Sequence, residues 1–190
     1  GLGRAPTNGW MCNPGKFGSC TYEMERFMST DLKSYHRRTL RLPNFDYSTP
    51  GAYFVTIVAF KHLHLFASTK SEEIILTRKG IIVNETWNEL VKHILSIELG
   101  EYVIMPNHFH GIVWIKESGT CNNDKLPSLT EIVRQFKSFS ARKINQEFGT
   151  TGNPIWQRNY YEHVIRNEAD LLRIREYIVE NPYKWMSDRY

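Results

Sequence analysis

The sequence predicts an α+β fold, an antiparallel sheet with helices on one face. Three observations carry this expectation. One is an apolar, β-branched run at Tyr53–Phe60 (YFVTIVAF). Another is a pair of strand-like segments, Ile97–Met105 and His108–Lys116, separated only by Pro106-Asn107. The third is two amphipathic stretches, near Arg78–His93 and Ser128–Ile144, that flank this pair. The resulting order, β-α-β-β-α-β-α, favours a split-βαβ, ferredoxin-like topology.

Each element has a local reason. Tyr53–Phe60 lacks alternation, as a strand buried on both sides should. Between Arg78 and His93, apolar Ile82, Trp87, Leu90, Val91 and Ile94 recur at spacings that suit one helical face. Glu117–Pro127 is a polar loop. Ser128-Leu-Thr-Glu131 has a capping-box pattern, and Ile132, Val133, Phe136, Phe139 and Ile144 continue a helical stripe beyond it. After the Gly149–Pro154 break, Ile155–Ile165 reads as a strand with an irregular start. A last helix begins near Asn167, has Asp170 in its first turn, and is expected to stop just before Pro182.

Composition narrows the class. The 190 residues are 41% hydrophobic and include 10 Phe, 10 Tyr and 5 Trp, enough for a core and too many for wholesale disorder. No apolar run approaches the ~20 residues of a membrane span. The net charge of +4 is mild for a nucleic-acid binder. Cys12, Cys20 and Cys121 form neither a disulfide framework nor a metal-site spacing, which points to a reducing cytoplasm. Residues 1–23, rich in Gly, Pro and Asn, read as a disordered tail or an appended head, leaving 24–190 as one domain.

Two groups could carry chemistry. Residues i and i+2 of a strand share a face, so His108 and His110 present paired imidazoles while Phe109 turns away. Such a pair can hold a divalent cation and leave positions open for substrate oxygens. His62-Leu-His64 has the same spacing but follows the first strand, where solvated histidines are ordinary. On the last helix, Tyr177 and Asn181 lie one turn apart, a phenol and an amide on one face. A phenol that attacks phosphorus needs activation and a stabilised leaving group.

Colinear with these groups, the chain from Tyr35 to Asp188 resembles the REP-associated tyrosine transposases, a branch of the single-tyrosine HUH nucleases related to small insertion-sequence transposases. The resemblance rests on Arg41-Leu-Pro-Asn-Phe-Asp-Tyr47, Gly51-Ala-Tyr-Phe-Val-Thr-Ile57 and Met105-Pro-Asn-His-Phe-His-Gly111. It continues in Ile132-Val-Arg-Gln-Phe-Lys-Ser138, Ile155-Trp-Gln-Arg-Asn-Tyr-Tyr-Glu-His-Val-Ile-Arg166 and Tyr177-Ile…Glu180-Asn-Pro182. It implies that His108 and His110 are the HUH pair and that Tyr177 is the nucleophile. Asn181 falls where relatives carry a polar metal ligand, often Gln. The implied cofactor is Mg2+ or Mn2+. The implied activity is single-strand endonuclease and strand transfer beside DNA hairpins, through a 5′-phosphotyrosine that leaves a free 3′ hydroxyl. A catalytically weak hairpin-binding regulator is the alternative on the same scaffold, and a hydrolase that activates water through the histidines is a third.

Charge placement suggests where DNA would lie. Met24–Pro50 carries five basic residues against three acidic, and Asp124–Arg166 seven against four, whereas Asn167–Tyr190 carries four against five. Phosphate contact is therefore expected at Arg37, Arg38, Arg41, Lys137, Arg142 and Lys143 rather than on the last helix. Phe45, Tyr47, Tyr160 and Tyr161 could stack on unpaired bases. Glu162 and His163 fall near the Tyr177 helix without an assignable role. A monomer is favoured over a dimer.

Overall fold

The structure, a computed structural model, describes residues 45–70, 73–117 and 126–187. Arg37, Arg38 and Arg41, the three cysteines and the 1–23 head lie outside these residues.

The fold is α+β, built on a four-stranded antiparallel sheet. Its strands are β1 (Gly51–Val58), β4 (Ile97–Ile104), β5 (His108–Ile115) and β6 (Tyr161–Ile165), in the spatial order β4-β5-β1-β6. This is the split-βαβ order expected from the sequence. β1 and β5 are central, which explains their continuous burial. Pro106-Asn107 makes a two-residue turn closed by Met105 N–H to His108 O at 2.8 Å.

Helices α1 (Arg78–His93) and α2 (Leu129–Glu147) are the two crossovers. Thr77 caps α1 by accepting from Gly80 N–H, and Ser128 caps α2 by accepting from Glu131 N–H. The Glu131 carboxylate does not close a reciprocal box; it pairs with Arg134 and Gln135. Both helices cover the sheet face that bears Tyr53, Val55, Ile57, Phe109, Val113 and Ile115. At the centre of this layer, Trp87 meets Phe109 at 4.6 Å and Phe136 at 5.1 Å between ring centroids.

The third helix, α3 (Glu168–Ser187), is the expected C-terminal helix that carries Tyr177, and it lies on the other face of the sheet from α1 and α2. Its Leu171, Ile174 and Ile178 pack on Phe54 and Ile112, which point to the opposite side of the sheet. α3 also runs through Pro182 instead of stopping there. The ring removes one backbone donor, yet the helix end stays fixed because Trp185 packs back on the sheet.

Two further differences concern strands. Ala67–Lys70 and Glu73–Leu76 form a small antiparallel ladder, β2–β3, in a stretch the sequence reading left unassigned. The expected strand at Ile155–Ile165 is regular only from Tyr161. Continuing the β1–β6 register would set Arg158 opposite Ala59, but Trp156 occupies that place, so two extra residues bulge out. Trp156 drives the shift. It is buried against Phe66 at 4.5 Å, and its indole N–H donates to Ser140 Oγ at 3.0 Å.

Candidate active site

Strand alternation on β5 sends Phe109 into the α1–α2 core and His108 and His110 toward α3. The two imidazoles lie 4.6 Å apart between centroids, edge to face. Each has its δ nitrogen engaged. His108 Nδ1–H donates to Asn107 Oδ1 at 2.6 Å, and His110 Nδ1 meets Thr56 Oγ1 at 2.8 Å. Thr56 is there because the β1–β5 register sets it directly opposite His110.

Tyr177 approaches from α3, with its phenol oxygen 3.3 Å from His110 Nε2. Its ring stands edge-on to Phe54 at 6.0 Å, and Phe54 in turn stacks on His110 at 5.4 Å. With the phenol donating to Nε2, the ring proton of His110 sits on Nδ1 and is given to Thr56. One turn along α3, the buried Asn181 amide hydrogen bonds to the His108 ring. A turn further, Trp185 lies 5.8 Å from His108. Tyr177, Asn181 and Trp185 thus share one helical face, at i, i+4 and i+8.

The electrostatics favour neutral imidazoles. Burial lowers the His108 pKa to about 4, against the opposing pull of the Asn181 hydrogen bond. Burial also holds His110 well below the ordinary histidine value, and His108 beside it adds to the effect. Neutral imidazole is the form that donates a lone pair to a metal.

The other sequence candidates lie elsewhere. Lys137, Arg142 and Lys143 are on α2, on the opposite side of the sheet from Tyr177. Lys137 is half-buried and donates to the Gln157 and Arg158 carbonyls at 2.6 and 2.9 Å, and burial lowers its pKa to about 8. Lys143 is paired with Glu89, whereas Arg142 is exposed and makes no ion pair with a described residue. Counting charge along a chain does not reveal which layer receives it. Phe45 and Tyr47 pack on one another and on Tyr53, and Tyr160 on the core, so their rings are engaged within the fold. Tyr161 packs on the α3 side.

His163 donates to Asp170 at 2.7 Å, and Arg173 donates to the other carboxylate oxygen at 2.5 Å. These bonds tie β6 to the first turn of α3. Glu162 pairs with Val55 in register and so falls on the other face from His110.

Sequence reasoning missed Trp185, because Pro182 read as a stop; the spacing of four from Asn181 was the available signal. It also set aside His62 and His64. The structure brings His64 to 5.5 Å from Trp185, beside the histidine pair.

A family model described as "Transposase IS200 like" matches residues 58–181, a span that contains both histidines, Tyr177 and Asn181. The chain belongs to the IS200-like transposase family. A Haemophilus influenzae protein of uncharacterised function is 37% identical over 172 residues, covering 82% of this chain and 93% of its own. A second protein of that organism, provisionally named a REP-associated tyrosine transposase, is 30% identical over 143 residues, covering 73% and 74%. A solved REP-associated tyrosine transposase bound to a REP hairpin shares the fold, with a TM-score of 0.55 and 21% identity over 78% of this chain and 74% of that one. The resemblance drawn from the motifs to REP-associated tyrosine transposases therefore holds. Among the described residues of this transposase, no helix is long and apolar enough to cross a membrane.

Proposed function

We propose that this transposase cuts and rejoins single-stranded DNA beside a hairpin through Tyr177, with Mg2+ or Mn2+ held by His108, His110 and the Asn181 amide. The observation that carries the reading is the 3.3 Å approach of the Tyr177 phenol to a buried, neutral His110.

The donor set fits the cation. Both δ nitrogens are committed to Asn107 and Thr56, which fixes the ring orientations; a cation at the ε nitrogens would take the place of the Tyr177 phenol as the partner of His110 Nε2. An amide oxygen supplies the hard third donor. Bound there, the cation would polarise the scissile phosphate and stabilise its developing charge.

The chain's own groups account for the rest. Tyr177 gives up its proton to solvent water and its oxygen forms a bond to phosphorus. The bond from phosphorus to the 3′ oxygen breaks, and that oxygen takes up a proton as a free hydroxyl. The 5′ phosphate stays on Tyr177, so the bond is kept for rejoining to another 3′ hydroxyl. The helical spacing of Tyr177 and Asn181 keeps nucleophile and amide on one rigid face.

The test is to mix the purified chain with a pool of hairpin oligonucleotides bearing single-stranded flanks and Mn2+. The expected result is an SDS-resistant adduct that maps to Tyr177 by peptide mass spectrometry. EDTA abolishes it, and Tyr177→Phe loses it while still binding the hairpins. Hairpin binding without any adduct would leave a DNA-binding regulator, and cleavage that persists in Tyr177→Phe would mean water is the nucleophile.

A further inference from the structure

We propose that the exposed turn Phe60–His64 contacts the phosphate backbone of the single strand running past the cleavage site, with Lys61, His62 and His64 as donors. The inference rests on the DNA-cleaving reading of the Tyr177 site and names a contact that this reading does not require.

The turn is unusual in its backbone. Lys61 and His62 have φ of 53° and 57°, two consecutive non-glycine residues in the left-handed region. Such a conformation persists only where the surroundings impose it. Four backbone bonds do so here. Ala59 N–H donates to Asn107 O at 2.8 Å, Phe60 N–H to Ile155 O at 2.8 Å, His62 N–H to Ala59 O at 3.0 Å and Leu63 N–H to Phe60 O at 3.2 Å. The first ties the turn to the residue that precedes His108.

The side chains on this turn contribute few contacts to the fold. Lys61, His62, Leu63 and His64 are all exposed, Leu63 by 50%. None of Lys61, His62 and His64 makes a side-chain hydrogen bond or ion pair with a described residue; Lys61 lies over the Phe60 ring and His64 against Trp185. They nevertheless stand at the site. Trp185 bridges His64 and His108 with centroid distances of 5.5 and 5.8 Å. The Trp185 indole N–H is itself buried without a partner among the described residues.

A second metal centre does not explain these histidines. No group of three or more His, Cys, Asp or Glu among the described residues could hold an ion. An ammonium, two imidazole donors and an exposed leucine instead suit a phosphodiester chain with its sugar or base edge. Pre-imposed strain spares the ordering cost that a flexible basic loop would meet on binding.

The test measures the affinity of the whole chain for two fluorescein-labelled DNA hairpins, one with single-stranded flanks and one flush, across a range of salt. Lys61→Ala and the double variant His62→Ala/His64→Ala should each weaken binding of the flanked hairpin and leave the flush one unchanged. Removing the lysine contact should reduce the slope of log affinity against log salt by about 0.7. Lys61→Gly separates side chain from backbone: glycine accepts the left-handed φ at position 61, so binding should still fall although the backbone there is relieved of strain. Unchanged affinity and slope in all variants, while the wild type binds and forms its Tyr177 adduct, would overturn the contact alone. Equal loss on flanked and flush hairpins would overturn the assignment to the single strand. A wild type that neither binds nor forms an adduct would remove the underlying reading as well.

Discussion

His110 is held from three sides: Thr56 at Nδ1, Tyr177 at Nε2 and the Phe54 ring across its face. Thr56 and Phe54 are both placed by β1, Thr56 directly opposite His110 in register, and only Tyr177 comes from α3. A Thr56→Val variant keeps the volume and the β-branch but leaves His110 Nδ1 without its bond. It should lower the Mn2+-dependent cleavage rate by about 10–100-fold, as loss of a partner to a metal-bound histidine generally does. The unpaired buried donor should also cost about 1–3 kcal/mol of stability, so activity is titrated against Mn2+ at a temperature where both proteins stay folded, which separates this effect from unfolding. Asp170 gives a residue-level pH dependence. Burial tends to raise its pKa, but the hydrogen bonds from His163 and Arg173 outweigh that and the net direction is down. A lowered carboxylate pKa in the folded state adds stability at pH values above the unfolded value of about 3.9, and that contribution disappears as pH falls through the folded value. The difference in thermal midpoint between wild type and Asp170→Asn should therefore be full near neutral pH and shrink below pH ~4.

At the scale of elements, α1 offers a case where propensity and packing disagree. Alanine is the better helix former than Gly80 by about 1 kcal/mol. A Cβ at Gly80, however, would sit 1.9 Å from the Phe66 carbonyl oxygen, which also accepts from Thr77 N–H at 2.9 Å. Gly80→Ala should thus destabilise the protein by about 1–3 kcal/mol, seen as a lower urea midpoint at unchanged slope. The elements that were legible in the sequence are those with a complete local signal: β1 by its unbroken apolar run, α1 and α2 by stripe and cap, β4–β5 by Pro106-Asn107. Where a distant residue decides, the sequence misleads. Trp156 shifts the register before β6 by inserting into the α2 layer, and Trp185 carries α3 past Pro182 by packing on His108.

For the whole molecule, the sheet separates two layers of unequal size. The larger, around Trp87, Phe109, Phe136 and Trp156, holds most of the buried apolar residues. Trp87→Ala should cost about 3–5 kcal/mol in chemical denaturation, while the variant still forms the Tyr177 adduct under conditions where it remains folded. The smaller layer is the site side, and its legibility was uneven for a physical reason. The His108–His110 alternation and the Tyr177–Asn181 turn are periodicities within one element, so the sequence displays them. Thr56, His62 and His64 reach the same place only through strand pairing and helix docking, which no local spacing encodes, while the spacing of Trp185 is masked by Pro182. The layering also sets an order of opening. Amide protons of β1 and β5, buried between both layers, should exchange with solvent only when the whole chain unfolds, whereas those of α3, anchored through Leu171, Ile174 and Ile178, should exchange through a smaller fluctuation. Tyr177 then rides on the part of the protein that detaches first and the histidine pair on the part that detaches last, so a strand bonded to the phenol can swing on its helix while the chemistry's fixed half stays where it was.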